Sequence, residues 1–174
     1  MRAAIAVIDR EGYGAASIER IAIQAATTKG TVLYHFKSKE GIDAAVVRLL
    51  FDTGAAYMTE RMLAVESPRD RLRAYLSSNL RFIAEHAPHV NAVHRILENA
   101  GPVEGLTDAV PPLRDLLAAG QAAGEFGEFD PEVMALAIRA IVDAASFHFT
   151  AHRELDVDHY INEAVRLFDK ATAA

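Results

Sequence analysis

A chain of 174 residues with 51% hydrophobic content holds enough apolar side chains for one medium domain, or for a small domain joined to a larger one. It contains no cysteine, which excludes disulfides and thiolate metal sites. The net charge of −6 is unevenly spread: residues 1–48 carry seven Lys/Arg against five Asp/Glu and the rest carry eleven against nineteen, so a slightly basic N-terminal segment precedes an acidic body.

Apolar residues recur mostly at spacings of three and four, and β-branched runs are short, which predicts an all-α chain. A first helix over about residues 2–11 turns Ile5 and Ile8 inward and stops at Gly12 or Gly14. Ser17 caps a second, with Ile18, Ile21, Ala22 and Ala25 on one stripe. A third begins near Thr28 and ends near Phe36, with Val32 and Phe36 facing the core. Ser38 caps a long fourth helix that runs towards Leu63. Ser67-Pro68 and Pro88 open the next two, since proline suits the first helical position. The stretch from Gly101 to Pro112 reads as a loop, followed by a helix from Leu113 to about Ala123. Asp130-Pro131 opens an apolar helix through about His152, and Asp156 or Asp158 starts the last one. The division is expected at residues 1–44 and 45–174, inside or beside the fourth helix.

The second to fourth helices concentrate chemistry. Three of the four lysines, Lys29, Lys37 and Lys39, fall within eleven residues and are interleaved with Tyr34 and His35. Thr28, Lys29, Gly30 and Thr31 form the first turn of the third helix, where free backbone N–H groups attract phosphate or base acceptors. Tyr34 and His35 lie off the core stripe and can donate to phosphates. Lys39 is a cation at a helix N-terminus, which the helix dipole disfavours and which suggests an external anion. A small helical unit of this kind suits a duplex reader, with phosphate charge giving affinity and a helix in the major groove giving specificity.

The ordered stretch Gly12-Tyr13, Ser17-Ile18-x-x-Ile21-Ala22-x-x-Ala25 and Lys29-Gly30-Thr31-x-x-Tyr34-His35-Phe36-x-Ser38-Lys39-Glu40 resembles the N-terminal signature of TetR-type transcriptional regulators. The resemblance covers the first quarter of the chain. It implies a three-helix helix-turn-helix DNA-binding unit followed by a C-terminal helical ligand-binding and dimerisation domain. The implied function is a ligand-responsive regulator, in most members a repressor, that binds a palindromic operator in double-stranded DNA as a homodimer and is released by a small, largely apolar effector. Carried over by position, Ser17, Thr28, Lys29, Gly30, Thr31, Leu33, Tyr34, His35 and Lys39 form the DNA-facing set. Three features depart from the pattern. Ala26 stands where the inter-helix turn usually has Gly, and it costs about 1 kcal/mol if that position needs positive φ. Leu33 replaces an aromatic donor and can only pack against a thymine methyl. The sequence opens at Met1-Arg2 where relatives carry a basic stretch, so fewer backbone contacts are expected.

Polar residues inside apolar stretches of the body, among them Asn79, Asn91, His94, Arg95, Arg139 and Asp143, need partners or line a cavity. Arg139 and Asp143 are four apart and can pair with each other. Tyr75, Asn79, Phe82, His94 and Phe147 are the expected effector lining. His148 and His152 have a spacing that can bind metal, but helix-end histidines satisfied by the dipole are the simpler reading, so no metal site and no cofactor is expected. No Gly-rich phosphate loop, nucleophile elbow or HExxH occurs, so no enzyme is expected. The rival reading is a helical protein-interaction module, or a metal-binding protein, that does not act on DNA. No uninterrupted apolar run approaches the roughly twenty residues of a membrane span, and the N-terminus is too briefly apolar for a signal peptide, so a cytoplasmic protein without a membrane partner is expected.

Overall fold

The computed structural model describes residues 1–106, 108–152 and 154–174, and these form nine helices and no strand. In chain order they are α1 (Arg2–Glu11), α2 (Ile18–Gln24), α3 (Lys29–Phe36), α4 (Lys39–Leu63), α5 (Pro68–Glu85), α6 (Ala87–Ala100), α7 (Val110–Ala122), α8 (Pro131–Ala151) and α9 (Val157–Ala171). The boundaries follow from side-chain caps that satisfy otherwise orphaned N–H groups. Ser17 Oγ accepts from the Arg20 N–H at 3.1 Å, and Thr28 Oγ1 from Thr31 N–H at 3.1 Å. Ser38 accepts from Gly41 at 3.2 Å, Ser67 from Asp70 at 3.0 Å, Asp130 from Glu132 at 2.8 Å and Asp156 from His159 at 2.9 Å. α7 starts three residues before the expected Leu113. Pro111 and Pro112 sit in its first turn, where a missing N–H costs nothing, and Asp108 accepts from the Val110 N–H at 2.9 Å.

The chain divides into two compact units, Met1–Thr53 with His86–Leu106, and Gly54–Glu85 with the described residues of 107–174. α4 runs through both. In the first unit Ala4, Val7 and Ile8 of α1 are buried with Ile21 and Ala22 of α2, Val32 of α3, Ile42, Val46 and Val47 of α4, and Val90, Val93 and Ile96 of α6. Ile5, expected inward, is only half-buried, because Ala4 and Val7 take the centre of the stripe.

α6 is attached to α1 and to the first half of α4 by polar groups. Asn91 donates to Asp9 at 2.7 Å, and the His89 Nε2–H donates to the Val46 carbonyl at 2.8 Å. Burial pushes the His89 pKa below the usual imidazole value, against an opposing contribution from the Val46 hydrogen bond, and His86 lowers it further. A lowered folded-state value means that the neutral ring contributes stability above about pH 6.5, and that this is lost as pH falls through the folded value. Thermal melts between pH 7.5 and 5 are therefore expected to show a decline on the acid side that His89→Gln reduces.

The second unit has its core in Leu72, Tyr75 and Leu76 of α5, Leu113 and Leu117 of α7, Phe126 between α7 and α8, Ala135 and Ile138 of α8, and Phe168 of α9. Arg73 binds Asp169 at 2.9 Å and Arg81 pairs with Asp158, which fixes α5 against α9. α8 has a mean hydropathy of 1.4 over its most apolar window and, by length and composition alone, could cross a membrane. It carries Arg139 and Asp143, and one of its faces (Ala135, Ile138, Val142, Ala145, Phe149) is buried in the unit, as expected of a core helix.

Candidate nucleic-acid interface

α2, a tight turn and α3 carry the candidate surface. The turn is closed by Ala26 N–H to Ile23 O at 3.0 Å and Thr27 N–H to Ala22 O at 2.9 Å. Ala26 has φ +50°, so the position does require the left-handed region, and alanine is strained there. Ala26→Gly is expected to stabilise the first unit by about 0.5–1 kcal/mol, the strain relieved being partly offset by the freer unfolded chain. Chemical denaturation reads this directly.

Val32 is buried and Phe36 half-buried, so α3 is anchored by one side. The opposite side carries most of the expected DNA-facing set: Ser17, Thr28, Lys29, Gly30, Thr31, Tyr34 and His35 are all exposed, and Tyr34 is 75% exposed. Leu33 and Lys39 are half-buried. The Thr28 and Thr31 hydroxyls lie 2.9 Å apart and share a hydrogen bond. Lys29 is paired with Glu19 across the α2–α3 angle, with both side chains more than half exposed. Lys37 caps the end of α3 by donating to the Tyr34 carbonyl at 3.0 Å, and its ammonium lies 5.4 Å from the Tyr34 ring centre. Around Gly30 an added Cβ would meet only the Thr28 hydroxyl, at 3.7 Å.

Lys39 has an anion within the protein itself. Its ammonium binds Asp43 at 2.5 Å, one turn along α4, and lies 4.0 Å from the centre of the Tyr13 ring. The Tyr13 hydroxyl donates to the other Asp43 oxygen at 2.8 Å. Burial, and then this hydrogen bond to a carboxylate, push the Tyr13 pKa up to about 12. Tyr13 and Asp43 were missing from the site read in the sequence. The i, i+4 spacing of Lys39 and Asp43 was the available signal; the approach of Tyr13 was not.

The expected effector residues are placed differently from one another. Tyr75, Asn79 and Phe82 are buried on one face of α5, and Phe82 packs on Tyr57 with ring centres 5.6 Å apart and on Gly54. Phe147 lies on an exposed face of α8, and His94 is half-buried on α6 in the first unit. The structure adds Arg139 to the α5 group. Its guanidinium donates to the Tyr75 hydroxyl at 3.2 Å and to Asp143 at 2.5 Å. Asn79, only 6% exposed, has no hydrogen bond to the described residues. His148 and His152 lie with ring centres 4.8 Å apart at the end of α8.

Residues 1–46 match the pattern of the bacterial regulatory proteins of the tetR family. Over 80 residues the chain is 35% identical to HTH-type transcriptional regulator BetI 1 of Chromohalobacter salexigens, covering 45% of this chain and 40% of that protein. It is 33% identical over 81 residues to BetI of Pseudomonas paraeruginosa, covering 45% and 41%. The match thus spans about two fifths of the length of these curated relatives. Among solved structures, a tetR-family regulatory protein from Rhodococcus RHA1 superposes with a TM-score of 0.78 at 24% identity, over 99% of this chain and 95% of that one. The ketosteroid transcriptional regulator KstR2 of Mycobacterium tuberculosis gives 0.80 at 18% identity, over 99% and 92%. AibR, solved with isovaleryl coenzyme A and operator DNA, gives 0.76 at 22% identity, over 95% and 96%. At these identities the structural likeness concerns the fold. Residues 1–46 thus carry the pattern of the tetR-family regulators, and nearly the whole chain has the fold of solved members of that family.

Proposed function

We propose that this chain is a ligand-responsive DNA-binding transcriptional regulator, a repressor, that binds a palindromic operator as a homodimer. The observation that carries the reading is the exposed side of α3, where Thr28, Lys29, Gly30, Thr31, Tyr34 and His35 place donors and a cation on one convex surface, anchored by Val32 beneath. Docked in a major groove, the first turn of α3 meets base edges, while Tyr34, His35, Ser17 and Lys39 meet the flanking phosphates. In this reading residues 1–44 recognise DNA and residues 45–174 bind the effector and dimerise. Retention on duplex DNA at low salt, lost steeply as salt rises, is the expected behaviour. A fully folded protein that ignores both duplex DNA and heparin would favour the rival protein-interaction or metal-binding module.

Dimerisation is supported by α8 and α9. Val133, Leu136, Ala140, Ala144 and Phe147 recur at spacings of three and four, and all are exposed. Val133 is 63% and Phe147 54% exposed, and Leu167 of α9 adds a further half-exposed side chain. An apolar stripe of this length calls for cover, and a second copy related by a twofold axis supplies the same stripe.

Ligand response is supported by the donor-rich group on α5 and α8. Tyr75 and Asn79 lie on the buried face of α5, the Arg139 guanidinium has N–H groups beyond those used on Tyr75 and Asp143, and Phe82 supplies apolar wall. Such a group suits a small, largely apolar effector with one acceptor-bearing end. KstR2 is named a ketosteroid transcriptional regulator, and AibR was solved with the acyl thioester isovaleryl coenzyme A, so the apolar part of the effector and its polar end are both matters for the test. Because α4 runs through both units, an effector that favours one shape of the second unit can change how far apart the two recognition helices stand. Linkage then requires operator to weaken the effector by the same factor, about 5- to 150-fold. A thermal-shift screen of hydrophobic metabolites, with each hit titrated in the presence and absence of operator, tests this. Equal affinities in the two titrations would contradict induction by those ligands.

A further inference from the structure

We propose that Asp43 is a positioning residue for DNA binding: it holds the Lys39 ammonium in place and cancels its charge, so that Lys39 offers directed N–H donors without adding a net cation to the interface. The inference rests on the DNA-binding reading above and concerns the same surface.

Asp43 is 3% exposed, and its two carboxylate oxygens are taken by Lys39 at 2.5 Å and Tyr13 at 2.8 Å. The Lys39 side chain is 20% exposed, and the Tyr13 ring covers another side of its ammonium at 4.0 Å. Carboxylate, phenol ring and ammonium thus form a closed cluster joining the turn between α1 and α2 to the first turns of α4. A carboxylate this deeply buried loses heavily if its cation leaves, because Tyr13 alone cannot compensate the charge. A single phosphate contact at an exposed surface returns far less. Lys39 therefore stays with Asp43 when DNA arrives, and only its remaining N–H groups reach outwards. Lys29 makes the contrast: its partner Glu19 is as exposed as Lys29 itself, so that pair separates at little cost and Lys29 can transfer to phosphate. Of the two lysines, one is a releasable charge and the other a fixed, neutralised donor.

Counterion release distinguishes the two roles, because each cation that neutralises a phosphate adds about 0.9 to the slope of log affinity against log salt on duplex DNA. Asp43→Asn keeps a polar side chain near Tyr13 and sets the Lys39 charge free. The test is a salt series with a short duplex of mixed sequence, read by fluorescence anisotropy, with folding followed by circular dichroism. Asp43→Asn should steepen the slope by about 0.9, so that between 50 and 200 mM salt it loses about three- to fourfold more affinity than the native chain does. Adding Lys39→Met should remove that extra steepness. Asp43→Leu, an apolar replacement suited to a buried helical position, should steepen the slope as Asn does and serves if the Asn variant is poorly folded. A merely structural Asp43 would give weaker binding with the native slope, and that result overturns the inference while leaving the DNA-binding reading intact. No binding by the native protein at low salt would overturn both.

Discussion

Replacing Leu136 and Phe147 together with glutamate is expected to leave the protein monomeric at micromolar concentration and to remove its binding to a two-half-site operator. Both side chains are about half exposed on the same stripe of α8, and neither belongs to the core of the second unit, so the unit should fold without them. In a twofold interface each substitution appears twice, so four carboxylates enter one apolar seam. Like charges brought together in this way cost several kcal/mol, enough to weaken the dimer by more than a hundredfold. Operator affinity falls with it, because two half-sites bound by linked reading heads gain from effective concentration and a single head does not. Sedimentation velocity and anisotropy on the same samples check both halves. A dimer undisturbed by the pair of substitutions would place the interface elsewhere.

Gly41→Ala should cost the first unit about 2 kcal/mol and reduce duplex binding at least tenfold. Gly41 is in the first turn of α4, and a Cβ there would lie 2.0 Å from the carbonyl oxygen of Phe36, the last residue of α3. The obstacle is backbone, so it cannot rotate away, and the α3–α4 junction must open. That junction is already constrained, with Ser38 N–H bound to Phe36 O at 2.7 Å and Lys37 at φ +65°. Opening it displaces the end of the helix that carries Tyr34 and His35. Gly30→Ala is the matched comparison. Its Cβ has room within the protein and alanine favours helix, so stability should hold or rise. If Gly30→Ala nevertheless weakens duplex binding, the DNA backbone comes close to that position. Denaturation curves beside binding curves for the two variants separate these effects.

Most helix starts in both units are legible because their signals are local. Ser17, Ser38, Ser67, Asp130 and Asp156 announce helix starts by a side chain that reaches three residues ahead, and each does so in the structure. The strain at Ala26 was readable because a single turn position decides its backbone. The start of α7 was misplaced because prolines stop a helix when they follow it and suit one when they open it, and sequence alone does not say which side applies. The position of Lys39 suggests an external anion; the internal one, Asp43, lies one turn along α4, and only the closure of Tyr13 over the pair, from thirty residues away, is beyond local spacing. Arg139 and Asp143 were visible as an i, i+4 pair, whereas the bond from Arg139 to Tyr75 spans 64 residues and depends on how α5 meets α8. The attachment of α6 to α1 through Asn91 and Asp9 is of the same long-range kind.

Selection of bound sequences from a random duplex library by the purified protein tests the central claim most directly. The expected result is enrichment of an inverted repeat whose half-sites are spaced to suit two recognition helices in successive major-groove faces, about one duplex turn apart or a small multiple of it. A library that emerges unenriched from a folded, dimeric protein would contradict it.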